Sequence, residues 1–287
     1  MRVCKNNECP LISLFTLTLT FLFGGFAAAC ADVTNLLMNG DAEADPQGLV
    51  ATGWMRSSGS PSIHNYASDG FPAFNDPGPS ARGTNLFYGG YVASSSLRQS
   101  LTVGALSEQV DGGFATYVFS GWLGGYFNHR DRALAAVTFL DEATNYLGAA
   151  QIGPVTVSDR AQVTGLFYRE ASGTVPPRTR QIRVDVTFVR EDGSCNDGYA
   201  DNLTLTLQSD DPELRIVRLD SDGFRRVIEW QSRLSNAVYL VETCTNLLTA
   251  DWETAQPTSQ WWIAHSVWTN EAALDAQRFY RIRAKAR

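Results

Sequence analysis

Lysine is almost absent from this 287-residue chain; Lys5 and Lys285 are the only two. No basic cluster occurs before the extreme C-terminus and the formal charge is −7, which argues against nucleic acid as a partner. Histidine is scarce: His64, His129 and His265 are the whole supply. With no CxxC pair beside them, a zinc-type cluster has no sequence support. Of five cysteines, Cys4, Cys9 and Cys30 lie in the first 31 residues, leaving Cys195 and Cys244. These two either pair or stay as separate thiols, and spacing alone does not choose. Amphipathic helical periods with caps are missing, apart from one turn over Ser107–Asp111. So are a nucleophile motif and carboxylates paired at a recognisable spacing. The chain therefore reads as a protein that is not an enzyme.

Long apolar runs are also missing, with one exception. Leu11 to Phe26 is apolar, follows Arg2 and Lys5, and ends in Ala27-Ala28-Ala29-Cys30-Ala31. It is short for a membrane span, which takes about 20 apolar residues. It has the layout of a signal peptide over 1–31, cleaved before Asp32. The chain is then expected to be secreted or at the cell surface, with no membrane span after cleavage. Lipidation at Cys30 is the alternative.

What the mature chain does have is short strands punctuated by Gly, Pro, Asn and Asp. Gln181–Val189 alternates, with Ile182, Val184, Val186 and Phe188 on one face and Arg183, Asp185 and Thr187 on the other. Leu203, Leu205 and Leu207 alternate with Thr204, Thr206 and Gln208 in the same way. Further strands are expected at Val33–Met38, Asn85–Tyr88, Leu97–Val103, Phe114–Leu123, Ala133–Leu140, Tyr146–Val157 and Gln162–Tyr168. The proline-rich stretch from Gly40 to Asn85 reads as loops with one strand near Ser62–Tyr66. Asp141–Asn145 and Glu191–Gly198 read as polar turns. Ser209-Asp210-Asp211-Pro212 reads as a linker. After it, strands resume at Leu214–Leu219, Arg225–Gln231, Val238–Glu242, Ala264–Thr269 and Phe279–Ala284, with Trp230, Tyr239 and Tyr280 as core aromatics. The class is all-β: a jelly-roll β-sandwich over 32–208 and a small Ig-like sandwich over 213–287.

Four stretches carry a family resemblance. They are Asn35–Glu43 with Gly53-Trp54, Gly83–Gly90 with Ser95–Val103, Ser120–Phe139, and Gly193–Leu207 with its Tyr199-Ala200-Asp201-Asn202 core. Together they resemble the galactose-binding-like jelly rolls of carbohydrate-binding modules. Val227–Gln231, Tyr239–Glu242, Asp251-Trp252 and Arg278–Ile282 resemble the short fibronectin type III-like modules of secreted bacterial proteins. The resemblance implies a non-catalytic binding or adhesion protein that recognises a carbohydrate or other extracellular polymer. A structural surface component without a small ligand, or an ancillary part of a polysaccharide-hydrolysing system, are the alternatives.

The resemblance also implies residue roles. A structural calcium would be held where first and last strands meet, by Asp41 or Glu43 with Asp201 and backbone carbonyls. The competing role for Asp41 and Asp201 is turn capping. Sugar contacts would fall on the loop after Gly124-Gly125, namely Tyr126, Phe127, His129 and Arg130. Asp192, Ser194, Asn196 and Asp197 have calcium-loop-like spacing but lack the glycine and terminal Glu of an EF-hand, so they read as a hairpin turn. Of Trp261 and Trp262, adjacent on a strand, one is expected to face outward.

Overall fold

The structure is a computed structural model. It describes residues 34–209, 214–221, 225–234, 236–246, 248–249, 251–255, 261–270 and 279–287. The signal segment and most of the expected linker, 210–212, lie outside the described residues.

Two five-stranded antiparallel sheets face each other. One runs β1 (Met55–Ser58), β4 (Ser94–Thr102), β9 (Gln181–Val189), β6 (Arg132–Leu140), β7 (Tyr146–Ile152). The other runs β2 (Ser62–Asn65), β3 (Asn85–Tyr88), β10 (Tyr199–Ser209), β5 (Ala115–Gly125), β8 (Gly165–Thr174). The jelly-roll sandwich expected from the alternation is what forms. Ile182, Val184, Val186 and Phe188 of β9 are buried against Phe119, Leu123, Leu203 and Leu205 of the facing sheet. Each such side chain contributes about 1.5–3 kcal/mol on burial, the main force closing the sandwich.

Three sequence expectations need correction. Val33–Met38 is not a strand; over its described residues it is an irregular strap. It is still fastened to β10: Leu36 N–H donates to Leu205 O (2.8 Å) and Leu203 N–H to Gly40 O (2.8 Å). The Asn35 side chain completes the ladder, its Oδ1 accepting from Leu205 N–H (2.9 Å) and its Nδ2 donating to Leu203 O (3.0 Å). An amide side chain thus does the work of a strand's backbone, which alternation cannot reveal. Second, β1 lies in the stretch read as loops; its four residues are all exposed, so no apolar pattern marks it. Third, β8 continues to Thr174, well past Tyr168, because pairing with β5 (Thr116 opposite Thr174) holds it extended.

β10 carries a bulge. Between Asp201 and Thr204 its register with β5 shifts, and Asn202 has φ 47°, a left-handed value that Asn tolerates. Gly121 lies opposite the bulge, where a Cβ would come within 2.7 Å of Leu203 Cδ2.

The remaining strands form two three-stranded sheets. One is β11 (Arg215–Ser221), β12 (Arg226–Gln231), β15 (Val267–Asn270); the other is β14 (Glu253–Thr254), β13 (Ala237–Cys244), β16 (Phe279–Ala286). Trp230, Tyr239, Val241 and Trp268 fill the space between them, with Tyr280 packed alongside. The short helix α1 (Ser107–Gly112) ends on Gly113 at φ 76°, a left-handed C-cap. The next residue, Phe114, packs into the core of these smaller sheets. Trp261 and Trp262 are both half-buried, so neither stands out fully to solvent. Cys195 and Cys244 are separate thiols.

Candidate functional site

Three loops meet at one end of the larger sandwich: 126–131 between β5 and β6, 153–164 between β7 and β8, and 190–198 between β9 and β10. Loops hold a fixed shape only where their backbone groups find partners, and two buried charged side chains supply them here. Asp131, 1% exposed, accepts from three backbone N–H groups: Glu191 (2.6 Å), Asp192 (2.8 Å) and Asp197 (2.9 Å). Arg160, fully buried, donates to the carbonyls of Phe127 (3.2 Å) and His129 (2.7 Å). Each residue therefore sews one loop to another.

The locked loops fix an array of ion pairs above them. Arg130 meets Asp192 through Nε (3.1 Å) and Nη2 (3.0 Å), and its backbone N–H reaches the same carboxylate at 2.7 Å. These bonds from Arg130 hold the Asp192 carboxyl at about 2, well below the usual carboxylate value. Arg132 pairs with Glu191. A cleft of about 560 Å³ opens beside them, lined by Arg130, Arg132, Glu191, Asn128 and Gln162 with Pro154, Val157, Thr156 and Ser158.

Of the four expected loop residues, Arg130 lines this cleft and Phe127 stands out to solvent, 53% exposed. Tyr126 and His129 turn inward. Tyr126 packs against the cluster around Tyr88 and Tyr199. His129 Nδ1 lies 3.2 Å from Asp197 Oδ2, its ring edge-on to Tyr126. Burial pushes the Asp197 carboxyl up, and the His129 hydrogen bond pulls it back. The calcium-loop-like spacing at 192–197 resolves into separate tasks: Asp192 on Arg130, Asn196 buried, Asp197 on His129. Sequence reading missed Asn128, Arg132, Glu191 and the 154–162 wall. The sequence reading carried a strand from Tyr146 to Val157, whereas β7 ends at Ile152 and the wall is loop.

A second exposed feature lies on the outer face of the sheet β2-β3-β10-β5-β8. Trp122 and Tyr168 are cross-strand partners, edge to face at 5.9 Å, and the Tyr168 hydroxyl donates to Glu170.

Each of the expected metal ligands also accepts hydrogen bonds from the protein. Glu43 Oε1 accepts from Thr84 N–H (2.8 Å) and Asn85 N–H (2.7 Å). Asp41 Oδ1 accepts from Glu43 N–H at 3.3 Å, a turn cap. Asp201, fully buried, accepts from the Tyr66 hydroxyl and from Asn202 N–H, each at 2.7 Å. Burial drives its carboxyl up to about 8, against those two hydrogen bonds and with help from the charges of Glu43 and Asp41. Among the described residues, the trio whose ligand atoms do fall within 4.8 Å of one another is His129, Asp131 and Asp197. Asp131 there is already committed to three amides, which makes it a brace.

No protein-family model matches the sequence, and no curated protein does. Among solved structures, the enzymatically active domain of bacteriophage CBA120 tailspike protein 4 aligns at 15% identity over 61% of this chain, with a TM-score of 0.40. This chain spans about a fifth (21%) of that one. A family 16 carbohydrate-binding module aligns at 19% identity over 60% of this chain and 99% of its own, TM-score 0.39. The tandem CBM22-1–CBM22-2 domain of Paenibacillus barcinonensis Xyn10C aligns at 13% identity over 91% of this chain and 87% of its own, TM-score 0.37. With scores this low, none of them bears on function.

Proposed function

We propose that this chain is an exported, non-catalytic binding protein whose larger sandwich takes a saccharide in the cleft between its three loops. The observation that carries this reading is the cleft itself, lined by charged and amide side chains together with Pro154 and Val157. A sugar ring has an apolar C–H face and a belt of hydroxyls. Val157 and Pro154 suit the first. Arg130, Arg132 and Glu191 suit the second, since each retains donors or acceptors beyond its ion pair, and Asn128 and Gln162 add amides. Phe127, exposed on the same loop as Asn128 and Arg130, offers a face for stacking. The carboxylates are poorly suited to proton transfer, because Asp192 stays ionised on Arg130 and Glu191 is tied to Arg132.

Binding of the full mature chain across a broad glycan panel tests the proposal. Arg130→Ala should weaken any hit about tenfold, the cost of one charge-assisted hydrogen bond. Silence across the panel would sink the saccharide reading and favour a structural surface role. Export is checked separately: the mature N-terminus, read by mass spectrometry, should be Asp32.

A further inference from the structure

A cleft of about 650 Å³ lies where α1 faces β16. It carries four cations, Arg180, Arg281, Arg283 and Lys285, against two carboxylates, Glu108 and Asp111. That balance is unusual in a chain of formal charge −7. Two of the cations are spent: Arg180 Nη2 lies 2.6 Å from Asp111 Oδ2, and Arg281 Nε lies 2.5 Å from Glu242 Oε2. The other two are less closely held. Arg283 Nη1 reaches Glu242 Oε1 only at 3.7 Å, with its side chain half exposed, and its charge also acts on Asp111 without a direct bond. Among the described residues Lys285 has no carboxylate within ion-pair distance; its Nζ rests 4.5 Å from the ring centre of Trp262. Alternation puts Arg283 and Lys285 on one face of β16, about 7 Å apart. On the facing wall, Gln109 Oε1 is buried without a hydrogen-bond partner.

These groups describe their ligand. Two under-neutralised cations, one of them held over a ring, call for an anion, and a guanidinium fork matches a carboxylate. A buried acceptor with nothing to accept calls for a hydroxyl. An inorganic anion meets the first need and not the second. We propose that this cleft binds a carboxylated saccharide, a hexuronate unit, with its carboxylate on Arg283 and Lys285 and a hydroxyl donating to Gln109. This site is separate from the loop cleft, and its case does not rest on the reading given to that cleft.

The test is calorimetric titration of the full mature chain with trigalacturonate and with its methyl ester, which keeps the hydroxyls and loses the charge. The acid should bind at least about tenfold more tightly than the ester. Arg283→Ala and Lys285→Ala should each weaken the acid about tenfold, and Gln109→Met should weaken acid and ester alike. Arg283 is half exposed and Lys285 half-buried against Trp262, and an unchanged melting temperature confirms folding. Equal binding of acid and ester, no binding of the acid, or full binding by the Arg283→Ala/Lys285→Ala double variant would overturn the proposal. A sulfated oligosaccharide that binds as tightly as the acid would overturn the carboxylate assignment.

Discussion

A buried carboxylate behaves according to what replaces the water it has lost. Asp131 has three backbone amides, and these bonds define the loops above it. Asn at 131 would keep one acceptor oxygen for three donors, and each stranded amide costs about 1–3 kcal/mol. Asp131→Asn should therefore lower the denaturation midpoint and speed hydrogen exchange at the amides of Glu191, Asp192 and Asp197. Asp201 is the opposite case. With a carboxyl raised to about 8, the folded state holds a proton that the unfolded state releases near the ordinary value of about 3.9. Between those values the native protein binds more protons. Stability from this group is thus full at low pH and lost as pH rises toward 8. Asn at 201 keeps the acceptor for Asn202 N–H and can donate to the Tyr66 oxygen, with no charge to bury. In chelator-treated protein, Asp201→Asn should match wild type at pH 4 and exceed it by a few kcal/mol, on the order of the linkage energy, at pH 9. Denaturant titrations at the two pH values decide it. An equal pH slope in both proteins would refute the raised carboxyl.

At the scale of elements, what could be read in the sequence was what repeats. β9 announces itself because every second residue is buried. The closing strand β10 did so only as far as its bulge. Asp201 has the odd parity of Leu203 and Leu205, yet the extra residue turns it to the outer face beside Trp122. Its burial under Tyr66 was therefore not legible from alternation. The strap around Asn35 was legible as a partner of β10 and misread as a strand, because its ladder runs through one side chain. The loop site was half legible. A Gly-Gly pair pointed to the right loop and to Arg130, but the turn at 126–129, which sends Tyr126 and His129 inward, depends on Arg160, thirty residues away. Asn35→Ala removes three bonds, to Leu203 O, Leu205 N–H and Leu37 N–H. It should cost about 1–3 kcal/mol, read as a lower melting temperature with the loop cleft still competent to bind.

At the scale of the molecule, Phe114 is the side chain of the larger sandwich that sits in the other core. Phe→Ala in a core costs about 3–5 kcal/mol. Here the loss should fall on β11–β16 and leave β1–β10 intact. Calorimetry of Phe114→Ala should then show two transitions, the earlier one from the smaller sandwich. Proteolysis should cut first near 209–212, where we place the boundary between the two units. Calcium belongs to the same scale, because it would bind remote segments together. We propose, following the resemblance, that such a cation sits between Asp41 or Glu43 and Asp201. Chelation should lower the melting temperature of the wild type and leave Asp201→Ala unmoved. A wild type indifferent to chelator would leave these residues as hydrogen-bond acceptors only.

The strap's direction has a mechanical meaning. Leu36 bonds to Leu205 while Gly40 bonds to Leu203, so strap and β10 run antiparallel. The chain therefore enters the larger sandwich and leaves it at the same end. Tension applied across residues 33 and 209 pulls the two neighbours apart like a zipper, breaking their bonds one after another rather than together. Load applied across this pair of ends would part the seam first, at low force, with the loops at the other end of the sandwich still whole.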